Sequence, residues 1–174
     1  MFLRVSHLLL LAFVAVEVPC FAQTGTVTFY SIRLSAKQEV KAAVVPVGTV
    51  PFTGWIFDGN QRLAHAQGGR FMSFHLAAGE HLFTVPYHSN HPGKTTLHLK
   101  IEANDHYCVR LSAKYISGSL LVPVAYVDSQ IEEVSCQQAL KEAGNFKPID
   151  TERIDPAVRT ELESSTSFQK TLEK

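Results

Sequence analysis

Two alternating apolar runs within residues 69–85, one on each side of a short glycine-containing segment, constrain the fold of this chain most strongly. Such a pair is typical of a β-hairpin. With residues 77–80 as the loop, one register gives both strands an apolar face. The facing pairs are then Leu76 with His81, Phe74 with Phe83, and Met72 with Val85. The other face carries Phe71, Ser73, His75, Leu82 and Thr84. This pattern predicts two paired strands in the core of a β-sandwich.

Short strands between turn signals recur along the chain. Strands are predicted at residues 26–34, 52–57, 61–66, 95–102, 106–113 and 120–127. Asp58-Gly59-Asn60 is a tight-turn signal, and the prolines of residues 42–51 favour an edge strand or an irregular connection. We therefore expect a mainly β fold, an antiparallel β-sandwich of about seven to nine strands.

The sequence period changes after residue 134. Ser135 is a plausible N-cap for a short helix over residues 136–143, which Gly144 ends. Asp155-Pro156 predicts the start of a second short helix, and the polar last ten residues are expected to fray. The predicted organisation is a signal peptide (1–22), a β-sandwich domain (23–134), and a C-terminal helical segment with a tail (135–174).

The N-terminus has the features of a secretory signal peptide. A basic start containing Arg4 precedes an apolar run over residues 8–16, and small residues precede a cleavage site after Ala22. The run is too short to span a membrane. Lipoprotein anchoring at Cys20 is not expected, because Glu17 and Pro19 occupy positions that the lipoprotein signal reserves for aliphatic and small residues. We therefore expect a periplasmic or secreted protein.

Charge and hydropathy limit the classes of partner. The chain has 16 basic and 16 acidic residues, and removal of Arg4 and Glu17 with the signal peptide keeps them balanced. No net field attracts nucleic acid or an anionic membrane. After signal cleavage no further stretch is apolar enough to be an integral membrane span. The expected partner is another envelope protein.

Cys108 and Cys136 are the two cysteines that remain after signal cleavage. Disulfides persist in the oxidising compartment that the signal peptide predicts. Cys108 is predicted on the outer face of its strand, and Cys136 opens the first C-terminal helix. A bond between them would hold that helix across the outer face of a sheet. The alternative is two free thiols.

Three stretches carry a family resemblance: Trp55-Ile56-Phe57-Asp58-Gly59, residues 71–81, and His106-Tyr107-Cys108-Val109-Arg110. Together they resemble bacterial exported proteins of the domain-of-unknown-function family 2846. They are also similar to PEGA-type and carboxypeptidase regulatory-like β-sandwich modules. The resemblance covers residues 26–127, and Ala78 stands where that pattern usually has proline. It implies export and a β-sandwich, and it brings no catalytic residues with it.

Histidines are the most tempting candidates for a site. His75 and His81 are predicted on opposite faces, so they cannot chelate one ion together. His81 is expected to be a rim residue that bonds a loop carbonyl. Tyr87, His88 and His91 lie in a polar loop that ends at Lys94, a possible ligand loop. Because a metal site needs three or four ligands, no metal and no cofactor are predicted.

Catalytic patterns are missing from the sequence. It has no Gly-x-Ser-x-Gly nucleophile elbow and no Cys-x-x-Cys pair. The strand aromatics, Trp55 among them, are more often core residues than sugar-stacking platforms. The primary hypothesis is an exported, non-enzymatic module of the bacterial cell envelope that binds or scaffolds a protein. The alternative is a glycan- or metal-binding accessory module that uses the loop of residues 87–94.

Overall fold

The computed structural model describes residues 23–33, 48–85, 95–117, 125–163, 167, 168 and 170. Within these residues the chain is mainly β, as predicted. Its strands are β1 (Thr24–Ser31), β2 (Gly48–Pro51), β3 (Gly54–Asp58), β4 (Gln61–Ala66), β5 (Arg70–Ala77), β6 (Gly79–Thr84), β7 (Thr96–Ile101), β8 (His106–Ser117), β9 (Ala125–Val134) and β10 (Lys147–Pro148). Residues 1–22, with Cys20 and Ala22, lie outside this description.

The first sheet, sheet 1, is built around β8. Its order is β10-β5-β1-β8-β2, and β9 pairs with β8 as well. Strand β1 runs beside the first half of β8 and β2 beside the second half, while β9 pairs with β8 from Cys108 to Ser117. β2 is therefore a short edge strand, as the prolines predicted. The sheet is not purely antiparallel, because β1 with β8 and β10 with β5 are parallel pairs.

The second sheet, sheet 2, has the order β4-β3-β6-β7, and all of its pairs are antiparallel. The pairing of β3 with β4 shifts register between Ile56 and Phe57, since Ile56 faces Ala64 but Phe57 faces Arg62. Leu63 is thus an extra residue in β4, a β-bulge. Its side chain is 1% exposed and joins the core.

One hydrophobic core takes side chains from both sheets. Sheet 1 contributes Val27, Phe29, Met72, Phe74, Val109, Leu111 and Ile131, and sheet 2 contributes Ile56, Leu63, Phe83, Leu99 and Ile101. The Phe29 ring of sheet 1 contacts aromatic rings of both sheets. It meets Phe74 of sheet 1 edge-on, with 6.3 Å between centroids, and Phe83 of sheet 2 edge-on, with 5.0 Å between centroids. Burying each such ring contributes about 1.5–3 kcal/mol. The same core includes Ile149, Ile154 and Val158 from the C-terminal segment.

The predicted strand pairing within residues 69–85 is wrong, although the predicted faces are right. Met72, Phe74 and Phe83 point into the core as expected. However, β5 pairs with β1 over seven residues, whereas β6 pairs with β3 and β7. The chain therefore passes from sheet 1 to sheet 2 at residues 77–79, where Gly79 has φ +146°, a conformation that favours glycine. Phe74 and Phe83 meet the same core from opposite sheets.

The C-terminal segment begins with the predicted helix. Helix α1 spans Cys136–Ala143, and the side chain of Ser135 accepts the backbone N–H of Gln138 as an N-cap. The predicted second helix is a 3₁₀ helix, Pro156–Glu161, capped by Asp155. A shorter 3₁₀ helix, Thr151–Arg153, precedes it. Phe168, within the tail that was expected to fray, is fully buried. Among the described residues, no helix is long and apolar enough to cross a membrane.

Candidate functional site

The outer face of sheet 2 carries half-buried aromatic side chains at its centre. Ile56 points into the core, so Trp55 and Phe57 on either side of it point outwards. His65 of β4 pairs with Trp55 and lies on the same side. Leu82 of β6 also faces outwards and is 37% exposed. We call this surface the Trp55 face; it comprises Trp55, Phe57, Arg62, His65 and Leu82.

Trp55 is held by contacts to two cross-strand neighbours. The guanidinium carbon of Arg62 lies 4.3 Å from the centre of the indole ring, a cation–π geometry. The His65 ring meets the indole edge-on, with 5.3 Å between the ring centroids. The indole is therefore fixed in place while part of its surface stays accessible.

Arg62 is itself held by the C-terminal segment. Its Nε donates to Asp155 Oδ2 at 2.7 Å. A hydrogen bond from the backbone N–H of Ala157 and the bond from Arg62 lower the pKa of the Asp155 carboxyl. The carboxylate thus keeps its charge beside the guanidinium, which orients the Arg62 fork over Trp55.

A further cation borders the Trp55 face. Arg153 Nη1 lies 3.2 Å from His65 Nδ1, so the two side chains contact each other beside the indole. Among the described residues, Arg153 has no carboxylate in ion-pair range. This end of the face therefore carries a positive charge that no acidic side chain of the described chain neutralises.

The far side of this face is polar and exposed. The outward side chains of β7, Thr96, His98 and Lys100, are all exposed, and Lys100 pairs with Glu102 at 2.6 Å. The possible ligand loop with Tyr87, His88 and His91 lies outside the described residues. Its flanks are joined, because Val85 N–H donates to the carbonyl of Thr95 at 2.9 Å.

The outer face of sheet 1 is covered instead. The predicted disulfide is present: Cys108 and Cys136 are bonded, with 5.3 Å between their Cα atoms. The bond holds α1 against β8, as expected. A second apolar cluster forms beneath, from Tyr30, Phe71, Cys108, Ala139, Ala143 and Phe168. The Phe168 ring lies edge-on to Tyr30 and Phe71, at 5.8 Å and 5.3 Å between centroids.

An ion network borders the covered face. Arg110 donates to Glu132 through Nε (2.9 Å) and Nη2 (2.8 Å), and to Glu142 through Nη1 (2.9 Å). Tyr30 donates its hydroxyl to Glu142 at 2.7 Å. Burial opposes ionisation of Glu142, but the bonds from Gln138 and Tyr30 and the Arg110 charge outweigh burial and lower the pKa of that carboxyl. These charges line a cavity of about 340 Å³. These charges compensate one another and connect β8, β9 and α1, so their role is structural.

His106 belongs to a buried polar chain on the same face. Its Nε2 lies 2.8 Å from the Thr28 hydroxyl, which lies 2.7 Å from the Ser73 hydroxyl. Thr28 and Ser73 are 0% and 1% exposed. Burial, the largest cause, lowers the pKa of His106, and the nearby His75 lowers it further. A substrate cannot reach these hydroxyls, so the chain serves to satisfy buried polar atoms.

His106, Cys108 and Cys136 have ligand atoms within 4.8 Å of one another, and in the described part of the chain they are the one such group of potential metal ligands. Thiolates are the form of cysteine that binds metal. Both sulfurs are bonded to each other here, so the trio is a disulfide beside a histidine. It offers no thiolate to an ion.

The remaining candidate histidines, His75 and His81, lie on strands of different sheets. His81 lies at the rim of the core, with Nε2 2.8 Å from the carbonyl of Ala77 and Nδ1 2.5 Å from Asp58 Oδ2, and it stacks on Phe83. The predicted bond to a loop carbonyl is confirmed. His75 is exposed on the other side of its strand, beside Thr26 Oγ1 at 3.2 Å. The side chains of His75 and His81 both line a cleft with Glu161.

Comparisons of the chain with protein-family models, with characterised proteins and with solved structures find no match. The site is therefore assigned from its own geometry. Sequence reasoning singled out Trp55 but missed Arg62. The signal for Arg62 was present: the tight turn at Asp58-Gly59-Asn60 folds β4 back along β3 and brings residue 62 diagonally across from residue 55.

Proposed function

We propose that this chain is an exported, non-enzymatic β-sandwich module of the bacterial cell envelope that binds another protein through its Trp55 face. The observation that carries the proposal is the half-buried Trp55 on an open sheet face, with the Arg62 guanidinium 4.3 Å above its ring. Tryptophan and arginine at the centre of a polar surface are the residues enriched in binding hot spots.

A protein fits this face better than a glycan does. A sugar stacks flat on an aromatic ring, but the guanidinium of Arg62 already lies over the indole and His65 meets it edge-on. What stays accessible is an apolar patch with Leu82 at one side and Arg153 at the other. The complementary partner surface presents an apolar side chain to Leu82 and a carboxylate to Arg153.

Three observations support the exported location. The sequence of residues 1–22 has the features of a signal peptide, and the Cys108–Cys136 disulfide fits an oxidising compartment. The resemblance to exported domain-of-unknown-function family 2846 points the same way. On this view Tyr87, His88 and His91 do not form a separate glycan or metal site.

Site-specific photo-crosslinking in the native envelope tests the proposal with a built-in control. Leu82 and Leu140 are equally accessible large apolar residues, 37% and 38% exposed, but Leu82 lies on the open face and Leu140 on α1. A photoreactive residue at position 82 should yield one discrete protein adduct, and the same residue at position 140 should not.

The captured protein must then bind directly. With both proteins purified, W55A should weaken binding by about tenfold or more, as expected for a hot-spot residue. Adducts of equal yield at positions 82 and 140, or a captured protein whose affinity W55A leaves unchanged, would refute the Trp55 face as the docking site.

A further inference from the structure

A cleft at the start of β5 gathers three cationic side chains from three separate segments. Arg33 follows β1, Arg70 opens β5, and Lys147 lies in β10 directly beside Arg70 in the sheet. All three line one cleft of about 310 Å³ together with the Gly68-Gly69 turn. Arg33 and Lys147 are exposed and Arg70 is half-buried, so solvent reaches the whole group.

The Gly68-Gly69 turn lines the cleft together with the three cations. Gly69 has φ +72°, in the left-handed region that favours glycine, and its N–H donates to the carbonyl of Ser31 at 2.9 Å. The Arg33 side chain lies along this turn, since a Cβ at Gly69 would be in ordinary van der Waals contact with its Cδ, at 3.4 Å. Arg70 is oriented from the other side, because its Nη1 donates to the carbonyl of Pro148 at 3.1 Å.

The charge in this cleft is not compensated. In the described part of the chain, Arg62, Lys100 and Arg110 each pair with a carboxylate, whereas Arg33, Arg70 and Lys147 have none within ion-pair distance. No acidic residue of the described chain lines this cleft, although Arg33 also lines the cavity that contains Glu132 and Glu142. Like charges held together without a counter-charge repel one another, so an anion that enters between them gains from all three.

We propose that this cleft binds the phosphate of a small organic phosphomonoester. Two guanidinium groups and an ammonium match a dianion with three terminal oxygens better than they match a single carboxylate. The cleft volume is at the lower end of the range of about 300–1,000 Å³ for small-molecule sites. The remaining walls, the Phe146 ring and the Asn145 amide, suit the face and hydroxyls of a sugar attached to the phosphate.

This site is independent of the proposed docking face. Its residues lie beside β5 and β10 in sheet 1, while the Trp55 face lies on the outer side of sheet 2. The two can therefore fail separately: loss of phosphate binding leaves the crosslink at position 82 intact, and loss of the partner leaves phosphate binding intact.

Nuclear magnetic resonance titration of the purified protein tests the cleft. Glucose 1-phosphate should shift the amide signals of Gly68, Gly69 and Asn145, and neutral glucose should leave them in place. R33Q and K147Q should each weaken binding by about tenfold or more, the loss expected for one charge-assisted hydrogen bond. K100Q, which removes another exposed lysine, on sheet 2, is the matched control and should bind as the wild type does.

Inorganic phosphate separates the two parts of the proposal. It should shift the same amides but bind more weakly than the sugar phosphate, because it makes no contact with Phe146. Equal affinity for the two ligands would overturn the assignment of an organic phosphomonoester. Unshifted Gly69 and Asn145 signals, or equal affinities of R33Q and K100Q, would overturn the anion site altogether.

Discussion

The outer faces of the two sheets show what a covering segment changes. On sheet 1, Tyr30 and Phe71 are 0% and 2% exposed because α1 and the C-terminal segment lie over them. On sheet 2, the outward-facing Trp55 and Phe57 are half-buried and Leu82 is 37% exposed. Both faces carry aromatic side chains at outward positions of their strands. The same sequence pattern therefore yields a second core on one face and an accessible patch on the other.

The polar residues of the two faces differ in the same way. Under the cover, the Thr28, Ser73 and His106 side chains bond one another. On the open face, Arg62 and His65 contact one indole, and Thr96 and His98 of β7 are exposed to solvent. Burial forces polar atoms to find partners in the chain, whereas an open face leaves them available to a partner molecule.

The largest expected difference between the faces is in stability. Phe71→Ala should lower the free energy of unfolding by about 3–5 kcal/mol, because it empties a closed apolar cluster. Phe57→Ala, on the open face, should cost about 1 kcal/mol, since water already reaches the ring. Equilibrium unfolding in urea measures both values. Equal costs would mean that Phe57 is as well covered as Phe71 and would contradict the open face.

The disulfide should be the next largest contribution, and it should act on the covered face alone. It closes a segment of 28 residues. Replacing both cysteines by alanine should lower stability by about 3–4 kcal/mol, a value that follows from the restricted unfolded chain. Mass spectrometry before and after reduction, with thiol titration in denaturant, verifies the bond itself.

Trp55 provides the control for that experiment. It is the single tryptophan of the chain and lies on the other sheet. Its fluorescence emission should be the same in the folded wild type and in the folded double-alanine variant. An emission shift in the folded variant would show that the two outer faces are coupled and that the disulfide does not act on the covered face alone.

Local sequence patterns predicted most of the fold, but they did not predict which strands pair over long distances along the chain. The β4 and α1 bounds, the outward position of Cys108 and the inward position of Phe74 follow from alternation and capping signals. The assignment of β5 and β6 to different sheets does not, because it depends on β1 pairing with β5 across the molecule. A two-strand register carries no information about a third strand that competes for the same edge.

The candidate sites show the same limit. The sequence did not predict strand β9 beyond residue 127, because its outward Gln130 and Glu132 are polar. Glu132 accepts a hydrogen bond from Arg110. Phe168 was assigned to a fraying tail because one aromatic residue among polar ones has no periodicity. The cluster of Arg33, Arg70 and Lys147 comes from residues more than 70 positions apart in two of its three pairs. Only the folded sheet brings them together.

The smallest expected effect is a pH dependence that only the covered face produces. Burial lowers the pKa of His106 in the folded chain below the usual value of about 6.5, which the unfolded chain retains. Between these values the unfolded state binds more protons than the folded state. The free energy of unfolding is therefore highest above about pH 6.5 and falls as the pH is lowered through the folded pKa. The charge of Glu163 moderates this loss, and the nearby His75 increases it.

Two histidine variants separate this contribution from the other titrating groups. H106Q removes the buried group, whereas H98Q removes a histidine that is exposed on sheet 2. Urea unfolding of the wild type and of each variant from about pH 5 to 8 measures how stability depends on pH. H106Q should lose less stability on acidification than the wild type or H98Q, because its unfolded state has one proton fewer to gain. If the stability curve of H106Q is parallel to that of the wild type while the curve of H98Q is flatter, the pH dependence does not come from the covered face of sheet 1 and the prediction is wrong.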